Sequence, residues 1–157
     1  MDKKQLTERD ICTKFINPAI VQAGWDIQTQ VREEVTFTAG RVIVRGNLHS
    51  RGYTRRADYI LYHQKNIPIA IIEAKDNNHS LGAGMQQGLA YAEALNVPFV
   101  FSSDGDGFLF HDRTGQASQP EVELSLNEFP SPDELWRRYC QWRELSVEQS
   151  VLVSAPY

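Results

Sequence analysis

The sequence predicts an α/β domain with a central mixed β-sheet covered by helices on both faces. Three observations lead there. A series of short β-branched runs between Ile27 and Ala74 reads as a meander of strands joined by turns of ordinary length. A helical pattern ending near Leu95 then separates two apolar runs, Ile67–Ile72 and Val97–Phe101, each reading as a strand buried on both faces. Helix-start chemistry stands near each end of the chain, at Thr7 and at Ser131.

In chain order, Thr7-Glu8-Arg9-Asp10 opens the first helix, with Thr7 as N-cap and Asp10 at the capping-box position. Ile11, Phe15 and Ile16 form its apolar stripe, which Glu8 continues at helical spacing. Pro18 is expected to kink or restart this helix, and Ala23-Gly24 to stop it before Trp25. Ile27, Val31, Val35 and Phe37 share one parity, which predicts a strand from Ile27 to Phe37; Glu33 falls on the same parity and spoils the alternation. Thr38-Ala39-Gly40 turns into a second strand, Arg41–Arg45, broken by Gly46. A loop over Asn47–Arg56 leads into Ala57–Tyr62, and His63–Asn66 turns that strand into Ile67–Ile72.

Asn77–Gly84 reads as a polar loop whose two glycines fall short of a phosphate-binding fingerprint. Leu81, Met85, Leu89, Ala92 and Leu95 are the stripe of the following helix, with Gln87 and Tyr91 four apart on a neighbouring face. Ser102–Gly107 reads as a hairpin turn rather than a calcium loop, because the later ligands are missing. Residues 114–120 are a polar surface loop. Ser131-Pro132-Asp133-Glu134 starts the last helix, with Leu135, Trp136, Tyr139 and Trp142 at helical spacing, while residues 146–157 show no clear period.

At 157 residues the length suits one domain with its own core. No run reaches a membrane-span length and no apolar leader segment follows Met1, so a cytoplasmic protein is expected. Cys12 and Cys140 lie far apart within helical patterns and read as reduced core thiols. A net charge of −4 argues against nonspecific coating of nucleic acid by the whole surface. The distribution says more: Val35–Ala57 holds no acid but carries Arg41, Arg45, Arg51, Arg55, Arg56 and His49, and runs straight into Asp58. A basic block delivered to a carboxylate points to an anionic substrate, although a solvated arginine-bearing hairpin has the same composition.

The chemistry concentrates at the end of the apolar run, in Glu73-Ala74-Lys75. Glu73 and Lys75 point the same way along a strand, and Asp58 sits on the neighbouring run. Two acids and a lysine can hold Mg²⁺, polarise water and neutralise a phosphorane, which suits phosphodiester hydrolysis. A glycosidase has no need of the lysine or the arginines. Zinc chemistry lacks its His and Cys cluster, and Ser102-Ser103 lacks a nucleophile-elbow context. The plain alternative pairs Asp58 with Arg56 and Glu73 with Lys75 as ion pairs at a sheet end.

Asp58 followed after a 14-residue gap by Glu73-Ala74-Lys75 resembles the PD-(D/E)xK nuclease motif, with Ala57 in place of the usual proline. Gln87-Gly88-Leu89-Ala90-Tyr91 resembles the Gln-x-x-x-Tyr element that accompanies it in some families. The flanks Ala57-Asp58-Tyr59, Pro68–Lys75 and Pro98–Phe108 extend the likeness from about Thr7 to Trp136. They resemble the N-terminal endonuclease domain of the restriction (R) subunit of type I restriction–modification enzymes.

That resemblance implies a restriction-endonuclease-like fold and Mg²⁺-dependent cleavage of double-stranded DNA. Asp58 and Glu73 would be metal ligands, joined by Glu8 from the first helix; Lys75 would position the attacking water. Gln87 and Tyr91 would touch the DNA backbone or support the site, with Arg55 and Arg56 as further DNA contacts. The endonuclease domain would span 1–145 and a tail or linker 146–157 would lead toward an ATP-driven translocase. No Gly-x-x-x-x-Gly-Lys-Ser/Thr stretch occurs here, so ATP is expected only in the full-length subunit. Methylation and specificity subunits would be the partners. The competing expectation is a nuclease-like module that binds DNA or docks subunits without catalysis.

Overall fold

The computed structural model describes residues 2–38, 41–42, 55–64 and 66–154. Among the described residues seven strands form one sheet in the order β2-β1-β3-β4-β5-β6-β7. They are β1 (Val31–Thr38), β2 (Arg41–Val42), β3 (Arg55–Tyr62), β4 (Pro68–Ala74), β5 (Phe99–Ser103), β6 (Phe108–Asp112) and β7 (Glu121–Leu124). β4 and β5 run parallel, and every other neighbouring pair is antiparallel. The parallel pair requires a crossover, and α3 (Met85–Leu95) supplies it. The expected mixed sheet is therefore present.

α3 covers one face, over a core of Val35, Phe37, Ile60, Tyr62, Ile71, Met85, Ala92 and Val100. The other face carries α1 (Glu8–Ile11), α2 (Asn17–Gln22) and the start of α4 (Pro132–Ser154), over Ile11, Ile16, Ile20, Tyr59, Leu61, Phe99, Phe101 and Leu135. β4 has Ile69 through Ile72 fully buried, as its unbroken apolar run requires.

The N-terminal capping box forms as expected, with Thr7 Oγ accepting from the Asp10 amide and Asp10 Oδ2 from the Thr7 amide. Between α1 and α2 the chain takes a π turn, Cys12–Ile16, in which the Asn17 amide donates to Cys12 O five residues back. Pro18 lacks an amide hydrogen and its ring crowds the carbonyl one turn earlier, so the chain widens that turn and restarts as α2 with Pro18 in its first turn, the restart being one of the two outcomes expected. Gly24, at φ +108, ends it.

Three expectations are corrected. Ile27 lies in a turn, 39% exposed, and β1 starts only at Val31. β7 was not foreseen, because Glu121-Val122-Glu123-Leu124 is a half-exposed edge strand with one apolar face. α4 continues through Ser154 although residues 146–154 show no apolar period; the chain there is helical by continuation of a helix well started at Ser131. The expected turn at Ala39-Gly40, the strand beyond Val42, the loop up to Thr54 and residues Arg45, His49 and Arg51 lie outside the described residues. No helix among the described residues is long and apolar enough to cross a membrane.

Candidate active site

β3 and β4 pair from Tyr62↔Pro68, through a register shift between Leu61 and Tyr62, up to Tyr59↔Ile72 and then part. At the next position the ladder is replaced by two side-chain bonds. The Asp58 amide donates to Glu73 Oε2, and the Ala74 amide donates to Asp58 Oδ2, each at 2.8 Å. Each carboxylate thus caps the main chain beside the other. No described residue donates to the remaining oxygens, Asp58 Oδ1 and Glu73 Oε1, which leaves one oxygen of each acid for a cation.

Burial sets the electrostatics. Glu73 is 2% exposed, and its carboxyl is pushed up to about 8, first by desolvation and then by the nearby Asp58. The Asp58 carboxyl is raised as well, chiefly by burial, against the opposing effects of the Ala74 amide, Lys75 and Arg56. Glu8 stands at the exposed rim, not on a buried stripe as its helical spacing implied; partial desolvation and then Asp58 raise its carboxyl. Lys75 follows β4, held by its amide to Ser103 O at 2.9 Å. Its ammonium lowers all three of these acids, so it lies within their common field. Neither Asp58–Arg56 nor Glu73–Lys75 is an ion pair among the described residues, so the plain sheet-end pairing is not what holds these charges.

α3 closes the other wall. The Gly84 amide donates to Ser102 Oγ at 3.1 Å, and that hydroxyl donates to Leu81 O at 2.9 Å, pinning the helix start to β5. A Cβ at Gly84 would stand 3.0 Å from Glu73 Cβ and one at Gly88 2.7 Å from Val100 Cγ1, so side chains there would push α3 off the sheet beside the acid. On the same helix Gln87 Nε2 donates to the Tyr91 hydroxyl. Tyr91 packs edge-on against Phe37, centroids 5.1 Å apart, with the Arg55 guanidinium 6.0 Å from its ring.

Glu8, Arg55, Arg56, Asp58, Glu73, Lys75, Gln87 and Tyr91 line one open cleft of about 560 Å³. All eight were singled out in the sequence, and the fold brings them together from α1, β3, β4 and α3. Arg41, Arg45 and Arg51 belong to the basic segment but their side chains are outside the described residues. Ser102 was missed, since a serine at a strand end has no local mark of its cap role.

Among the described residues no three Asp, Glu, His or Cys side chains form a metal cage. The donor set fits Mg²⁺ nonetheless, because that ion is held by one or two carboxylates while water and phosphate fill its other positions. It does not fit zinc, which wants closed nitrogen and sulfur ligation.

A mixed sheet whose central strands part around two carboxylates and a lysine is the restriction-endonuclease-like α/β fold. Residues 42–119 match the family model described as type I restriction enzyme R protein N terminus, and the chain belongs to that family. It is 47% identical over 158 residues to the type I restriction enzyme EcoAI endonuclease subunit of Escherichia coli, covering 100% of this chain and 20% of that protein. A fragment structure described as a candidate HsdR subunit of a type I restriction enzyme from Vibrio vulnificus YJ016 superposes with a TM-score of 0.71. It is 39% identical and covers 87% of this chain and 26% of that one. The chain thus spans about a fifth of the curated relative it matches.

Proposed function

We propose that this chain is the Mg²⁺-dependent endonuclease region of a type I restriction enzyme R subunit, hydrolysing phosphodiester bonds of double-stranded DNA. The observation that carries this reading is the reciprocal locking of Asp58 and Glu73 where β3 and β4 part, facing a cleft shared with Lys75. The name of the E. coli relative, an endonuclease subunit, supports it.

Asp58 and Glu73 would hold Mg²⁺ through their carboxylates, and Glu8 from the rim would join them. When bound, the ion neutralises phosphate charge and makes a water more acidic. Lys75 orients the attacking water and offsets charge that develops on the phosphate. Arg55 and Arg56, where β3 enters the cleft, meet the DNA backbone electrostatically. Gln87 and Tyr91, tied to each other, contact the backbone from α3. Residues 1–145 act as the nuclease unit, and residues 146–157 lead on toward a translocase. ATP belongs to the longer subunit, and methylation and specificity subunits supply target recognition. The cell compartment is the cytoplasm.

The test uses the full-length subunit assembled with its partners. Glu73→Ala and Lys75→Ala are expected to abolish DNA cleavage while ATP hydrolysis continues at its usual rate. Cleavage at the unaltered rate in either variant would sink the assignment. DNA or subunit binding without any divalent-metal dependence would favour the non-catalytic module instead.

A further inference from the structure

Directly across the sheet from Asp58 stands a residue in a backbone conformation that its side chain does not favour. β1 and β3 pair as Arg32↔Ile60, Glu33↔Tyr59, Val35↔Ala57 and Thr36↔Arg56. The same register sets Glu34 opposite Asp58, and that one pair is not formed. Glu34 has φ +52. Besides Glu34, the only described non-glycine residue with positive φ is Asn96, which closes α3 as a left-handed cap. Asparagine is eased there by its short polar side chain; glutamate has no such help, and the conformation costs it about 1–2 kcal/mol.

Both strands change face at this point. Val31 packs with Tyr59 and Leu61 in the core under α1 and α4, whereas Val35 and Phe37 pack with Ala57 in the core under α3. Residues of one parity on one strand thus serve opposite layers. That is impossible for a regular strand, and on β1 the change falls at the left-handed Glu34. Glu34 is exposed and makes no hydrogen bond or ion pair with the described residues, so no side-chain contact explains the strain.

We propose that Glu34 is a positioning residue of the cleft: its left-handed main chain turns β1 and β3 over together and so aims Asp58 at the Ala74 amide and into the site. The inference rests on the nuclease reading for its functional consequence, but its structural core does not. Backbone conformation, rather than the Glu34 carboxylate, is the operative property.

The experiment compares Glu34→Gly, Glu34→Asn and Glu34→Val. Glycine and asparagine keep the left-handed conformation and remove the charge; valine opposes that conformation. Amide hydrogen exchange is followed in the metal-free chain at Ala74, with Ile71 and Val100 in the same sheet as internal references. Glu34→Val should speed exchange at Ala74 about tenfold, the loss of roughly one charge-assisted hydrogen bond, with the references unchanged. Glu34→Gly and Glu34→Asn should leave Ala74 protected. Mn²⁺ affinity, read by electron paramagnetic resonance, should fall further in Glu34→Val than in Glu34→Gly or Glu34→Asn, which lose the same charge acting on Asp58. In the assembled full-length enzyme the same variant should lower kcat with KM unchanged.

Should Glu34→Val not fold, Glu34→Thr provides a milder β-branched replacement, expected to speed exchange at Ala74 about threefold while Glu34→Gly stays protected; equal protection in the two would overturn the inference. Full protection of Ala74 in a folded Glu34→Val protein would overturn the inference, as would equal loss in Glu34→Gly or Glu34→Asn, which would assign the effect to the carboxylate. Failure of the nuclease reading looks different: cleavage would survive Asp58→Asn in the full-length enzyme. Asp58 would then be no catalytic group, while the exchange rate of Ala74 would still decide whether Glu34 sets its aim.

Discussion

The amide of Asp58 donates to the carboxylate of Glu73, while the carboxylate of Asp58 receives the amide next to Glu73, that of Ala74. Each acid satisfies a main-chain group that the parting strands would otherwise leave unpaired. Structure and proposed chemistry therefore share the same two side chains, and substitutions can separate the two roles.

Asp58→Asn retains an oxygen that accepts from Ala74 but removes the charge. Thermal stability should change by less than about 1 kcal/mol, since an interior hydrogen bond is conserved. DNA cleavage by the assembled enzyme should fall about a hundredfold or more, the scale for losing one electrostatic contact to a developing charge. A gel-based cleavage time course alongside thermal melts checks both. Cleavage near the unaltered rate would remove Asp58 from the site.

Stability should depend on pH through Glu73. Its carboxyl is raised from an ordinary 4.5 to about 8 by burial and by Asp58. Between those values the folded protein holds a proton that the unfolded chain has released, so ν in the native state exceeds ν in the unfolded state and stability falls as pH rises. Metal-free melts from pH 5 to pH 8.5 should therefore show Tm declining across that window. Glu73→Gln should flatten the decline. Added Mg²⁺ should restore most stability at the high-pH end, because the ion binds the ionised acid. A metal-free Tm that climbs over the same range, with no difference in Glu73→Gln, would contradict the cause assigned.

Gly88→Ala should weaken fold and site together. The new Cβ would lie 2.7 Å from Val100 Cγ1, a fully buried β-branched side chain with no room to retreat. Overpacking of this kind costs about 1–3 kcal/mol. α3 must move off the sheet, carrying Gln87 and Tyr91 away from Glu73. Chemical denaturation reads the first effect and cleavage the second. Unchanged stability would show that α3 has slack that its contacts do not suggest.

The thiols should react unequally. Cys12 is 6% exposed, and burial pushes its thiol up to about 11. Cys140, on α4, is only partly buried. Iodoacetamide at pH 8 should therefore label Cys140 well ahead of Cys12 in the folded chain, with both labelled in denaturant, as mass spectrometry of tryptic peptides would report. Early labelling of Cys12 would mean that the helix carrying it opens readily.

Much of the fold was legible because periodicity is local. The Ile67–Ile72 run, the capping box at Thr7 and the serine-led start of α4 each state their structure within a few residues. β7 was not legible, since its place is set by pairing with β6 and its own sequence is half polar. The start of β1 was misplaced because Ile27 has the parity of the strand while it lies in the turn before Val31. Further along, the strand changes face at Glu34. No pattern of fixed parity could describe it.

By itself the sequence singled out the candidate residues: Asp58, Glu73 and Lys75 by type and spacing, with Glu8, Gln87 and Tyr91 beside them. Tertiary structure alone decided how they meet. It brings four elements to one cleft, lets α3 approach the sheet through Gly84 and Gly88, and ties Asp58 and Glu73 by main-chain bonds where the plain alternative had ion pairs. The physical reason is that residue type and strand period are properties of neighbours in the chain. Burial, desolvation and the parting of two strands depend on segments far apart in sequence, and these set the carboxyl of Glu73.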